Sequence, residues 1–487
     1  MKKASIILSL LILGLQMTVS AQQPDAVYKL VHHEWTLNTD GSSDYRYRHE
    51  VQILRNRALT AYADKGETFV VYNPEIEDVT VNEVYTLQLD GTRVDMPQNA
   101  FIHQLPSECA DCGRFNHLRE LTMVHTGMEI GCVVVVDYTI HRRYNLLYEN
   151  LPILRECPIE KLEIKVNPAK GMEVRTMLLG EQYLPKGVTK ADLLKLDITL
   201  RNLPQAPKEA YMPEYINPVV RLFNATPEYT PAFDNEKFYG AKEAMGSVLT
   251  GNPTENLLAR RDFILDNIHL NDIHPSHLGY RRATAAEVWA SGCGTATDKA
   301  VLLAAILRSE GYKADVYGEH SDEVAILIDT LEYRLSLRNR TPLELIGKAR
   351  DEMHNYIYTI AEEARFDTLE GGFYRLKQSG TPTSLPKAST LPLTRTTPMQ
   401  ATSCSIDEQA SYTLPKNFKL MGDGIEKKLS FKGLGSLEIS IKQSGKTLKI
   451  TRNLRLEKSL IPADEYSNYR LLLATWQKAD NLIFRTK

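Results

Sequence analysis

The sequence predicts a multi-domain chain: an N-terminal β-sandwich, a central α+β domain, and a small C-terminal β domain closed by a terminal helix. Three observations lead there. Apolar residues alternate at period two up to about residue 205, follow helical spacing between residues 254 and 310, and alternate again after residue 430. The 487 residues, at roughly 100–200 per domain, leave room for two to four domains. The composition is 43% hydrophobic and 24% charged, ordinary for a globular chain. Lys plus Arg is 58 against 61 for Asp plus Glu, a net charge of −3. Such a balance offers no field for drawing in nucleic acid.

The elements follow in order. Residues 1–21 read as a cleaved export signal: Lys2 and Lys3 form a positive start, Ile6 to Leu15 a short apolar core, and Val19-Ser20-Ala21 a small-residue cleavage site. That core is too short to span a bilayer. The signal implies an exported chain of the periplasm, cell surface or exterior, with no transmembrane segment in the mature protein.

Residues 22–205 form the expected sandwich. Tyr45, Tyr47, Val51 and Ile53 share one strand face; Tyr85, Leu87 and Leu89 run into an Asp90-Gly91 hairpin turn; Cys132 to Val136 suits a strand covered on both sides. Leu162, Ile164 and Val166 alternate, as do Leu194, Leu196, Ile198 and Leu200, before a linker at Leu203-Pro204-Gln205-Ala206-Pro207.

The central domain, residues 216–350, holds a helical stripe within Thr254–Leu270. Thr295 and Asp298 then make a capping box, so a second helix starts at Ala296 and presents Ala300, Leu303, Ala304 and Leu307 on one face. Gly311 ends it, and strands are expected over Tyr312–Tyr317, Val324–Asp329 and Leu331–Leu337. In the last domain, residues 376–487, Ser379–Ser403 is a strap or linker. Alternating residues around Gly445 make a hairpin, and a final helix beginning at Pro462 carries Tyr466, Tyr469, Leu473 and Trp476 on one side.

Six cysteines in an exported chain allow up to three disulfides. Cys109 and Cys112 are close enough to make a loop disulfide. With His103 and His117 they could also form a zinc or redox site, but no second Cys-x-x-Cys accompanies them. His269, His274 and His277 cluster around Pro275, which makes a turn and favours solvent-facing side chains. No metal or cofactor is expected.

The segment Ala285–Leu303, through Gly292-Cys293-Gly294-Thr295-Ala296-Thr297-Asp298-Lys299-Ala300, resembles the core of the bacterial transglutaminase-like superfamily. The flanking blocks resemble the domain of unknown function that precedes such cores and the all-β tail that follows them. The resemblance implies a papain-like core, in which active members carry a Cys, His, Asp triad. The thiol sits at the first helical residue, where the positive helix end lowers its pKa. On that frame the nucleophile position is Ala296, the base position Glu323 and the orienting position Ser336. None has the side chain its role requires. A weaker alternative shifts catalysis to Cys293 and His320, with Asp322 or Asp329 orienting the imidazole. The sequence therefore points to a degenerate, non-catalytic protein whose cleft at Ala296, Glu323 and Ser336 binds a peptide, a glycopeptide or an envelope protein. An active thiol peptidase or acyl transferase and a purely structural module are the rivals.

Overall fold

The computed structural model describes residues 24–59, 68–225, 235–245, 253–317, 323–328, 331–338, 344–345, 354–377, 385–422 and 424–486. The export signal, His320, Asp322 and Asp329 lie outside the described residues. The chain divides into two compact units, residues 1–206 with 217–344, and residues 207–216 with 345–487. Both are built mostly of strands, in several sheets, with few helices.

In the first unit, β1 (Ala26–Leu37), β2 (Ser43–Ile53), β4 (Glu77–Leu87), β5 (Arg93–Asp95), β8 (Val133–Arg142), β10 (Ile159–Asn167) and β12 (Asp197–Leu203) make one sheet in the order β12-β10-β1-β2-β8-β4-β5. Two smaller sheets also occur. One pairs β3 (Phe69–Tyr72), β7 (Arg119–Met123) and β6 (Phe101–Gln104); the other pairs β11 (Arg175–Leu179), β13 (Val219–Phe223) and β9 (Tyr148–Pro152). Alternation decides what they cover. Tyr47, Val51, Val134 and Trp35 pack with Val220 and Leu222 of β13, while Val136 and Ile140 pack with Val70, Leu121 and Met123. Both small sheets thus close over one face of the large one, as a sandwich. The other face is charged: Arg46 and Arg48 pair with the buried Asp137, and Arg48 also reaches Glu83.

One strand start differs from expectation. Leu194 and Leu196 precede β12, because Thr189 and Asp192 form a capping box that turns Lys190–Leu193 into a helical turn. Leu194 is left exposed. A local polar cap has overridden the alternating pattern.

The same unit contains α1 (Pro253–Asn267), β14 (His269–Leu270), α2 (Ala285–Ser291), β15 (Cys293–Gly294) and α3 (Ala296–Ser309), then β16 (Lys313–Tyr317), β17 (Glu323–Ile328) and β18 (Leu331–Ser336). The last three pair antiparallel in that order. Every residue of α3 from Ala296 to Leu307 is buried. Its Ala300, Leu303 and Leu307 share one cluster with Val324, Ile326, Leu335 and Leu337 of the sheet and Leu257 and Ile264 of α1. A helix buried on all sides belongs inside a layered core, and that is where α3 lies.

In the second unit, β19 (His354–Glu363), β20 (Cys404–Thr413), β21 (Ile425–Phe431), β22 (Gly435–Ser444) and β23 (Thr447–Leu456) form a sheet in the order β19-β20-β23-β22-β21. Helix α4 (Tyr466–Lys478) buries Tyr466, Tyr469, Leu473 and Trp476 in the cluster that holds Leu437, Ile439 and Ile450. It starts four residues after Pro462, which introduces a turn. The Ser379–Ser403 segment, where described, is a packed strap: Ala388 donates its N–H to Gln477, and Tyr466 Oη donates to the Pro392 carbonyl at 2.6 Å.

A buried polar cluster joins the sandwich strands to the turn before α2. Glu77, 1% exposed, lies 3.3 Å from Arg142 Nε and 3.7 Å from His277 Nδ1, and accepts the Asn73 N–H at 2.9 Å. Burial works to raise the Glu77 carboxyl, but His277, Arg142 and the Asn73 amide together hold it below its ordinary value. A carboxyl depressed in the folded state contributes stability above its unfolded value, near 4.5, and that contribution is lost as pH falls through the folded value. Chemical denaturation should therefore show the first unit weakening steadily below about pH 4.5. Glu77→Gln should be less stable at pH 7 and show a flatter acid limb; an unchanged limb would remove Glu77 from the cause.

Candidate functional site

The site is the N-terminal end of α3. Thr295 is its N-cap, accepting the Asp298 N–H at 3.2 Å, while Asp298 accepts the Thr295 N–H at 3.0 Å. This is the reciprocal capping box, and it makes Ala296 the first helical residue. Ala296 is 4% exposed and presents a methyl group where a nucleophile would gain from the helix dipole. Gly294 is required beside it, because a Cβ there would lie 2.9 Å from the Cβ of Asp298.

Asp298 does more than cap. Its carboxylate also accepts the Ala283 N–H at 3.1 Å and forms a short ion pair with Arg114, from the loop before β7. The Arg114 guanidinium lies over the Phe115 ring. The helix tip is thus filled from the sandwich side. Only about 10 Å3 remains among Thr295, Thr297, Asp298, Leu278 and Tyr280, barely enough for a single water.

The cysteines pair differently from expectation. Cys112 is bonded to Cys293, with a Cα–Cα separation of 5.8 Å across 181 residues of sequence, and Cys109 is a buried free thiol. The expected Cys109–Cys112 loop disulfide does not form: Cys109, Cys112 and Cys293 share one apolar cluster with Phe115, Leu118 and Ile273, and within it Cys112 pairs with Cys293. Burial, with Glu108 and Glu120 nearby, pushes the Cys109 thiol up to about 11. Such a thiol is inert. Cys293 has no thiol to offer while bonded, which counts directly against its alternative role as nucleophile.

Glu323 and Ser336 are cross-strand partners at the open ends of β17 and β18. However, Val324, Ile326 and Leu335 are the side chains that face α3. Strand alternation then puts Glu323 and Ser336 on the opposite face of the sheet. Glu323 lies 3.5 Å from Arg334, and the Ser336 hydroxyl accepts the Arg338 N–H at 3.2 Å. Ala296, Glu323 and Ser336 therefore do not line one cleft, which corrects the sequence-based site.

The remaining candidates separate as well. His103 Nδ1 lies 3.2 Å from the Tyr72 hydroxyl, and Cys112 is committed to its disulfide. His269 and His274 are exposed, as the turn at Pro275 suggests. His277 is not solvent-facing, since it packs beside the buried Glu77. Among the described residues no group of three or more His, Cys, Asp or Glu side chains is placed to hold a metal, and no helix is long and apolar enough to cross a membrane. Sequence reasoning missed Arg114, whose partner lies 184 residues away; nothing local distinguishes it from a solvated arginine.

Comparison with known proteins agrees with this architecture. Residues 39–207 match the family model described as a domain of unknown function with solved structure, DUF3857, and residues 377–484 match a second so described, DUF3858. A crystal structure from Parabacteroides distasonis, of a protein described as a "putative protease", matches over 95% of this chain and 99% of that chain, with a TM-score of 0.72 and 23% identity. No curated protein matches the chain. The two family models lie on either side of the central α+β segment, and the structural match covers all three. At this identity the likeness carries the fold alone.

Arg114→Met should leave a buried carboxylate short of its cationic partner and lower the stability of the first unit by roughly 2–4 kcal/mol. Urea denaturation followed by tryptophan fluorescence measures this. A change below about 0.5 kcal/mol, the usual size for a surface substitution, would show the pair to be incidental.

Proposed function

We propose that the protein is a non-catalytic transglutaminase-like protein of the bacterial cell envelope, with a degenerate papain-like core, that binds a peptide, a glycopeptide or an envelope protein without cleaving it. One observation carries the reading: the helix tip that would hold a reactive thiol presents Ala296, and the nearest cysteine, Cys293, is tied to Cys112. Nucleophilic catalysis needs a thiolate within hydrogen-bond reach of a base. Here the helix dipole has no sulfur to act on. Export is part of the proposal and rests on residues 1–21, which also provide the oxidising compartment a buried disulfide requires.

The filled helix tip also bears on where a partner binds. With Arg114 and Asp298 occupying that end of α3, a ligand must use another surface of the fold. The same observation favours the second reading, a purely structural module.

The test uses the whole exported chain and its Cys112→Ser variant, which frees the Cys293 thiol. Under reducing conditions neither should hydrolyse peptide substrates nor transfer acyl groups above a Cys293→Ala background. Turnover that depends on Cys293 would overturn the non-catalytic reading. Immobilised wild-type protein should retain one specific partner from an envelope extract; retention of none would favour the structural module.

A further inference from the structure

Three of the six cysteines meet in one place. Cys109, Cys112 and Cys293 share a buried apolar cluster, while Cys132 and Cys157 belong to the sandwich core and Cys404 to the second unit. Three sulfurs make one bond and leave one thiol over: Cys112 is bonded to Cys293, and Cys109 is free and fully buried. A spare thiol beside a disulfide is the group that thiol–disulfide exchange requires.

The backbone gives Cys112 a second partner. Its N–H donates to the Cys109 carbonyl at 3.1 Å, closing a turn over Cys109–Cys112. The ends of such a turn lie within about 7 Å between Cα atoms, which overlaps the window of roughly 4.4–6.8 Å in which disulfides form. The two partners differ in distance along the chain. Cys293 is 181 residues from Cys112, and Cys109 is three residues away. Loop closure on its own favours the nearer partner by on the order of a hundredfold. Packing therefore holds the longer pairing: Phe115 and Leu118 from the sandwich side and Ile273 from the core side fill the cluster. The Asn271 amide also donates to the Glu108 carbonyl at 2.6 Å, just before the turn. Burial, with Glu108 and Glu120 nearby, keeps the Cys109 thiol protonated while the cluster is closed.

We propose that Cys112 is the shared sulfur of a disulfide switch, bonded to Cys293 while the cluster is packed and passed to Cys109 when it loosens. The step is an isomerisation. Cys109 loses its proton and its sulfur bonds to Cys112; the Cys112–Cys293 bond breaks, and Cys293 leaves with the electron pair and takes up a proton. One disulfide and one thiol stand on each side, so no oxidant or reductant is consumed. The exchange removes the covalent tie between the loop before β7 and the start of α3. The Arg114–Asp298 ion pair and the Asn271–Glu108 hydrogen bond are left to hold that joint. This regulates the joint and is independent of the binding reading, which holds with either pairing.

The test keeps the full oxidised chain at set pH values between about 7 and 10, then quenches it in acid, alkylates it and maps its disulfides. A Cys109–Cys112 pair with alkylated Cys293 should appear by a first-order process independent of protein concentration. Its rate should rise about tenfold per pH unit, following the thiolate of a group that titrates at about 11. Cys109→Ser should abolish the process. A fully retained Cys112–Cys293 bond at about pH 10, or Cys293 release that survives Cys109→Ser, would overturn the proposal. Cys293→Ser gives an independent readout: under oxidised glutathione its Cys109 and Cys112 should pair with each other, and finding both glutathionylated or both still alkylatable would overturn the second pairing. The isolated exchanged isomer should unfold at a lower urea concentration than the native one. An equal midpoint would show that the exchange releases no joint.

Discussion

The Asp298 carboxylate is the constraint on which the first unit turns. A buried carboxylate must be fully partnered, and three different parts of the chain are fixed in providing for it. Thr295 gives its amide from the cap and Ala283 gives another from the approach to α2. Arg114 gives its guanidinium from the sandwich, and Gly294 yields the space a Cβ would take. The Cys112–Cys293 bond lies at the two ends of this arrangement, two residues before Arg114 and two before Thr295. The start of α3 is thus a joint between a sandwich and an α+β core.

That joint has a consequence for function. The tip of α3 is capped and buried, its first side chain is a methyl, and the space before it is filled.

Much of the fold was legible in the sequence because local rules governed it. The Thr295–Asp298 box set the start of α3 without any tertiary information, and alternation in β2, β10, β22 and β23 named the buried faces. The site was less legible, for reasons that can be named. Placing Glu323 and Ser336 depended on strand parity, and a shift of one residue moves a side chain to the other face; the core-facing position at that end of β17 is Val324. The partners of Cys293, Asp298 and Glu77 lie between 65 and 200 residues away in most cases, as with Cys112 at 181 residues and Arg114 at 184. No spacing rule reaches that far. Leu194 shows the converse, where a cap at Thr189 outweighed an alternating run.

The most direct test of the account is disulfide mapping of the native exported chain after alkylation without reductant. The account predicts one cross-linked peptide pair containing Cys112 and Cys293, with Cys109 modified only once the protein is unfolded. Native Cys293 found alkylated, and reacting faster than an ordinary thiol near neutral pH, would contradict it: the core would then hold an activated sulfur and the chain would be an enzyme.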